Sequence, residues 1–114
     1  MSRRQEYNLN FNKVNSSVFS PLFICIGNEN TAGSLELASL LRSISDKEPD
    51  GLLEEVNLAL TGGDYEEYYS PDGSAVDTIK ITPPNAIYND YYTISLFDLK
   101  ELLEEWIDFI NQNQ

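Results

Sequence analysis

The chain has 114 residues, 41% of them apolar and 11% aromatic, with 19 acidic and 7 basic residues, no histidine and one cysteine. That size and apolar content suit one domain with one ordinary core rather than a disordered chain. The net charge of −12 repels phosphate backbones, the lack of histidine excludes His-based dyads and triads, and a lone Cys25 excludes a disulfide framework.

The first residues, Met1 to Asn8, include Arg3 and Arg4 but lead into polar, Asn-rich sequence, not an apolar leader. The nearest apolar run, Val18 to Ile26, is too short to span a bilayer and contains Ser20 and Pro21. The expectation is a soluble chain of the reducing cytoplasm.

Tyr7, Leu9 and Phe11 alternate within residues 1–17, a period of two that predicts a weak or edge strand. Phe19, Leu22, Phe23, Ile24, Cys25 and Ile26 predict a buried strand over 18–26, with Pro21 near its start. Gly27, Asn28, Asn30 and Gly33 make a loop, and Ser34 is placed to cap a helix over about 35–45. Its inward face is Leu37, Ala38, Leu41 and Ile44.

A connection through Pro49 leads to a second helix ending near Leu60, with Leu52, Leu53, Val56, Ala59 and Leu60 inward. Gly62 and Gly63 end it, because glycine accepts the left-handed conformation. The short link predicts that the two helices pair as an αα-hairpin. Residues 65–69 and 76–82 then read as a hairpin about the turn Ser70-Pro71-Asp72-Gly73-Ser74. Pro83 and Pro84 break the chain, and a third strand is expected from Ile87 to Ile94. Ser95, with Asp98 three residues on, caps a long helix reaching about Asn111. Leu96, Leu99, Leu103, Trp106, Ile107 and Ile110 form its apolar stripe, widened by Leu102 and Phe109; Asp98, Glu101, Glu105 and Asp108 form an acidic one.

Charge is unevenly distributed. Residues 43–114 carry 16 acidic and 3 basic residues, whereas residues 1–42 carry 3 and 4. Such asymmetry speeds encounter with a basic partner; it also serves plain solubility.

Chemistry-bearing constellations are few. Without histidine and with one cysteine, zinc and copper sites of usual composition are excluded. The acidic stretch from Asp64 lacks the ligand alternation of a calcium loop. Glu66/Glu67 and Glu104/Glu105 are sequence neighbours that point apart, so neither is a natural acid–base pair. Cys25 has no base partner and reads as a small core residue. No cofactor or metal is expected, and the chain reads as a non-enzyme; a carboxylate hydrolase of unusual type is the third reading, and requires two acids within about 5–9 Å.

The distinctive feature is a run of tyrosines interleaved with acids. Six of the seven tyrosines fall between positions 65 and 92. Tyrosine brings contact area and a hydroxyl at little entropic cost, and carboxylates pair with the Lys and Arg of a cationic cleft. Tyrosines are also ordinary strand residues. The residues expected to meet a partner are Asp64, Tyr65, Glu66, Glu67, Tyr68, Tyr69, Asp72, Asp77, Asp90 and Tyr91.

Leu52-Leu53-Glu54-Glu55-Val56, Leu60-Thr61-Gly62-Gly63-Asp64-Tyr65, Asp77-Thr78-Ile79-Lys80-Ile81, Tyr92-Thr93-Ile94-Ser95-Leu96 and Leu99 to Trp106 with Phe109 lie within residues 50–110. This stretch resembles small acidic immunity proteins of bacterial contact-dependent growth inhibition and related polymorphic toxin systems. The resemblance implies a cytoplasmic inhibitor, monomeric when free, that binds a basic toxin domain, a ribonuclease or other nuclease, and covers its active site. It implies no direct contact with nucleic acid or membrane. The alternative is an acidic adaptor or subunit of a bacterial complex with no toxin partner. The fold expected is α+β: an antiparallel sheet of about four strands, covered on one side by the αα-hairpin and the C-terminal helix, with Trp106 buried against it.

Overall fold

A computed structural model describes residues 2–15, 22–44, 49–70 and 78–113. The fold is α+β. In chain order the elements are α1 (Arg3–Glu6), β1 (Asn10–Val14), β2 (Leu22–Ile26), α2 (Ser34–Ile44), α3 (Pro49–Thr61), β3 (Tyr68–Tyr69), β4 (Ile79–Thr82), β5 (Asn85–Tyr88), β6 (Tyr92–Ser95) and α4 (Leu96–Gln112). β3-β4-β5-β6 form a four-stranded antiparallel meander, and β1 and β2 pair as a separate two-stranded sheet. Among the described residues, no helix is long and apolar enough to cross a membrane.

Helix α4 follows the sequence reading closely. The Ser95 side chain accepts from the Asp98 amide at 3.1 Å, satisfying one orphan donor of the first turn. Leu96, Leu99, Leu102, Leu103, Trp106 and Ile110 are buried, so Leu102 belongs to the stripe itself, while Ile107 is half-buried. Trp106 is fully buried edge-on to Phe11 of β1 at 4.8 Å, and Phe109 stacks beside it. Its indole N–H has no acceptor among the described residues.

The meander buries one face. Register places Ile79 opposite Tyr88, and Ala86 between Ile81 and Ile94, all within the core. Tyr68, Lys80 and Thr93 alternate onto the other face.

Five expectations need correction. The strand expected from 1–17 is preceded by a helical turn: Ser2 and Gln5 form a reciprocal capping box, Tyr7 ends α1, and pairing starts at Asn10. The strand expected over 65–69 is confined to Tyr68–Tyr69, because the chain before it follows α3. The single strand expected from Ile87 to Ile94 is two strands, since Asn89 and Asp90 both take positive φ, near 52° and 57°, and reverse the chain. Leu60 points outward at 40% exposure, because the α3 stripe is narrower than the sequence pattern suggested. Helices α2 and α3 do not take each other as main partner: α3 packs on α4 and α2 on β2. The expected strand residues 18–21 and 76–77, and the turn from Pro71 to Ser74, lie outside the described residues.

Helix α3 starts at Pro49, inside the connection expected there, because a proline's missing N–H costs nothing in the first turn. Its termination holds as expected. Gly62 takes φ +80° and the Gly63 amide donates to the Leu58 carbonyl at 2.8 Å, a Schellman closure.

Candidate functional site

The structure divides the tyrosine run by the pleat. Tyr69 turns toward the core, its hydroxyl 2.7 Å from where a β-carbon on Gly51 would stand. Tyr65 is likewise packed on the core. Tyr88 is buried, its hydroxyl 3.3 Å from that of Ser39. Only Tyr68, at 61% exposure, and Tyr91, at 80%, present most of their rings to solvent.

The carboxylates follow a similar division. Asp64, Glu66, Glu67 and Asp90 are exposed. Glu66 donates its amide to the Glu55 carboxylate at 2.8 Å, which ties the segment to α3. Glu67 lies 4.0 Å from Lys80, and that lysine sits 5.7 Å from the centre of the Tyr68 ring. Asp72 and Asp77 lie outside the described residues.

The described members do not form one compact patch. Asp90 and Tyr91 occupy the β5–β6 turn, at the end of the sheet where Tyr69 pairs with Ile79 and Thr78 exchanges hydrogen bonds with Asn89. Asp64 to Glu67 precede β3 and run along the opposite end of that short edge strand, where Glu67 accepts from the Ile81 amide.

Sequence reasoning missed what surrounds Tyr91. The β2–α2 loop and the first turn of α2 bring Glu29, Thr31, Gly33, Leu35 and Glu36 beside Tyr91 and Tyr92, enclosing a cleft of about 470 Å³. Gly33 makes this possible: it is buried with φ +81°, and the Tyr92 ring occupies the space a side chain would need. Burial raises the pKa of the Tyr92 phenol, and of Tyr7 as well.

The acidic stripe of α4 is not a solvated face over its N-terminal half. The Arg3 guanidinium bonds Glu6 at 2.6 Å and Glu101 at 3.1 Å and lies 3.2 Å from Asp98. The backbone amides of Arg3 and Arg4 each donate to one oxygen of Glu105, both at 2.9 Å. Tyr7 donates to Asp98 at 2.9 Å. These acids are therefore consumed inside the fold. The signal was present in Ser2-Arg3-Arg4-Gln5, a capping-box spacing with two bases.

Cys25 is fully buried, and desolvation pushes its thiol up to about 12, so it is not a nucleophile at neutral pH. No group of three or more potential metal ligands exists among the described residues. No protein-family model matches the chain, and no curated protein or solved structure is significantly similar to it.

Proposed function

We propose that the chain is an immunity protein of the bacterial cytoplasm, monomeric when free, that binds a basic nuclease toxin domain and occludes its active-site cleft. The observation that carries the reading is how the charge is left over. The acids of α4 nearest α1 are neutralised internally, whereas Glu29, Asp64, Glu66 and Asp90 keep no cationic partner among the described residues and flank the two exposed tyrosines. Carboxylates with exposed aromatic rings suit a surface that meets Lys and Arg. The likeness of residues 50–110 to such immunity proteins supports the same reading.

The test is capture with the tagged full chain from its source cells at low and high salt, followed by purification of the captured protein. The expected partner is basic, has nuclease activity, and loses that activity at one equivalent of this chain. A captured protein whose activity is unchanged at saturation would remove the inhibitor reading.

One observation favours the adaptor or subunit alternative. The outer face of β1–β2 carries Val14, Leu22 and Ile26, each roughly half exposed, with no charge between them. Sedimentation velocity separates the two: a lone species near 12.9 kDa agrees with the inhibitor reading, and self-association abolished by Leu22→Lys favours the subunit.

A further inference from the structure

The fold holds cations in a repeated manner. Lys80 lies over the Tyr68 ring and against Glu67. Arg3 lies 5.8 Å from the Phe97 ring centre and pairs with Asp98 and Glu101. Each corner combines an exposed aromatic ring, one or more carboxylates and a basic side chain. The cleft between the β2–α2 loop and the β5–β6 turn has the first two components. Tyr91 supplies the ring, Glu29 and Glu36 the carboxylates, and Leu35, half exposed, an apolar wall. None of the residues lining it is basic.

We propose that this cleft receives an arginine side chain of the partner protein, and that it is the anchor point of the interface. The inference rests on the partner-binding reading above and names the group recognised. Cleft size is adequate, since pockets for small groups run from roughly 300 to 1,000 Å³. Charge decides the sign of the occupant. The α2 N-terminus contributes about half a positive charge at the cleft, and the two glutamates outweigh it. Shape decides between the bases. A guanidinium stacks flat on a tyrosine ring while its fork meets a carboxylate, and its methylene stem lies against leucine; an ammonium is a compact, strongly hydrated point charge that does neither as well.

The binding measurement itself needs no toxin. The ¹⁵N-labelled full chain is titrated at low salt with blocked Gly-Arg-Gly, Gly-Lys-Gly and Gly-citrulline-Gly peptides. With the arginine peptide, shift changes are expected at Gly33, Leu35, Glu36 and Tyr91, with an apparent Kd at least threefold below that of the lysine peptide and no saturable response to citrulline. Tyr91→Ala, at an exposed turn position, and the pair Glu29→Gln/Glu36→Gln should each weaken the arginine response at least fivefold with the rest of the spectrum unchanged. Equal changes at Glu54, Asp64 and Asp90, or no effect of these substitutions, would overturn the proposal. A silent cleft alongside a toxin inhibited at one equivalent would sink the anchor and leave the inhibitor standing. A responsive cleft alongside an uninhibited partner would do the reverse.

Discussion

At Gly33 the backbone takes φ +81° and the Tyr92 ring lies where a β-carbon would project. Gly62 has nearly the same φ, +80°, but open space around it. The pair separates backbone strain from steric overlap. Gly62→Ala should cost about 1–2 kcal/mol, the price of a left-handed alanine. Gly33→Ala should cost that plus about 1–3 kcal/mol for overpacking, and should shift the Tyr92 ring resonances. Urea denaturation of both variants checks the difference. Three other side chains set the alkaline limit. Burial, and for Tyr7 also its hydrogen bond to Asp98, raises the folded-state pKa of Cys25, Tyr7 and Tyr92 above their ordinary values. Their neutral forms are the stable ones in the fold. The stability they contribute is therefore complete below the unfolded values, about 8.5 for the thiol and about 10 for the phenols. It is lost as pH rises from there toward the folded values, at up to about 1.4 kcal/mol per pH unit for each group. Denaturation at pH 7, 9.5 and 11 should show this decline. Cys25→Ala should flatten its first part and Tyr7→Phe its later part, whatever either does to stability at pH 7.

Helix α1 is four residues long, too short to persist alone, and depends on what it touches. Its first two amides share the Glu105 carboxylate. Glu105→Ala should therefore release it, and hydrogen exchange at the Arg3 and Arg4 amides should quicken roughly tenfold or more, since a hydrogen bond to a charged group is worth about 1.5–3 kcal/mol. The buried amides of α4 should change far less. The contrast between α1 and α4 also marks what was readable beforehand. Helix α4 could be read because seventeen residues repeat one apolar stripe behind a serine cap. Helix α1 was overlooked because Tyr7, Leu9 and Phe11 alternate as a strand does, and that pattern masked the Ser2–Gln5 box. Asn89 and Asp90 were overlooked for a similar reason: a three-residue reversal sits inside an apolar, tyrosine-rich run that otherwise satisfies a single strand. The pairing of α3 with α4 was out of reach, since an apolar face states that something covers it without saying which element does. The cleft beside Tyr91 joins loops about sixty residues apart in the chain, a proximity that local periodicity does not encode.

For the molecule as a whole, a charge of −12 on a chain this small is a standing self-repulsion. Raising salt from about 0.02 to 0.5 M shortens the screening length from roughly 20 Å to about 4 Å. The free protein should therefore melt several degrees higher at the upper concentration, even though the Arg3 pairs are screened as well. A fall in melting temperature would mean that those pairs outweigh the repulsion. The clasp between α1 and α4 has a consequence of another kind. Arg3 finds two of its acceptors, Glu101 and Glu105, 98 and 102 residues further along the chain. A ribosome adds about 5–20 residues per second. The α1 segment is therefore made roughly 5–20 seconds before its counterpart in α4. Until then Arg3 and Arg4 lack their α4 acceptors while the nascent chain grows steadily more acidic, and the clasp closes only after the whole meander has been made.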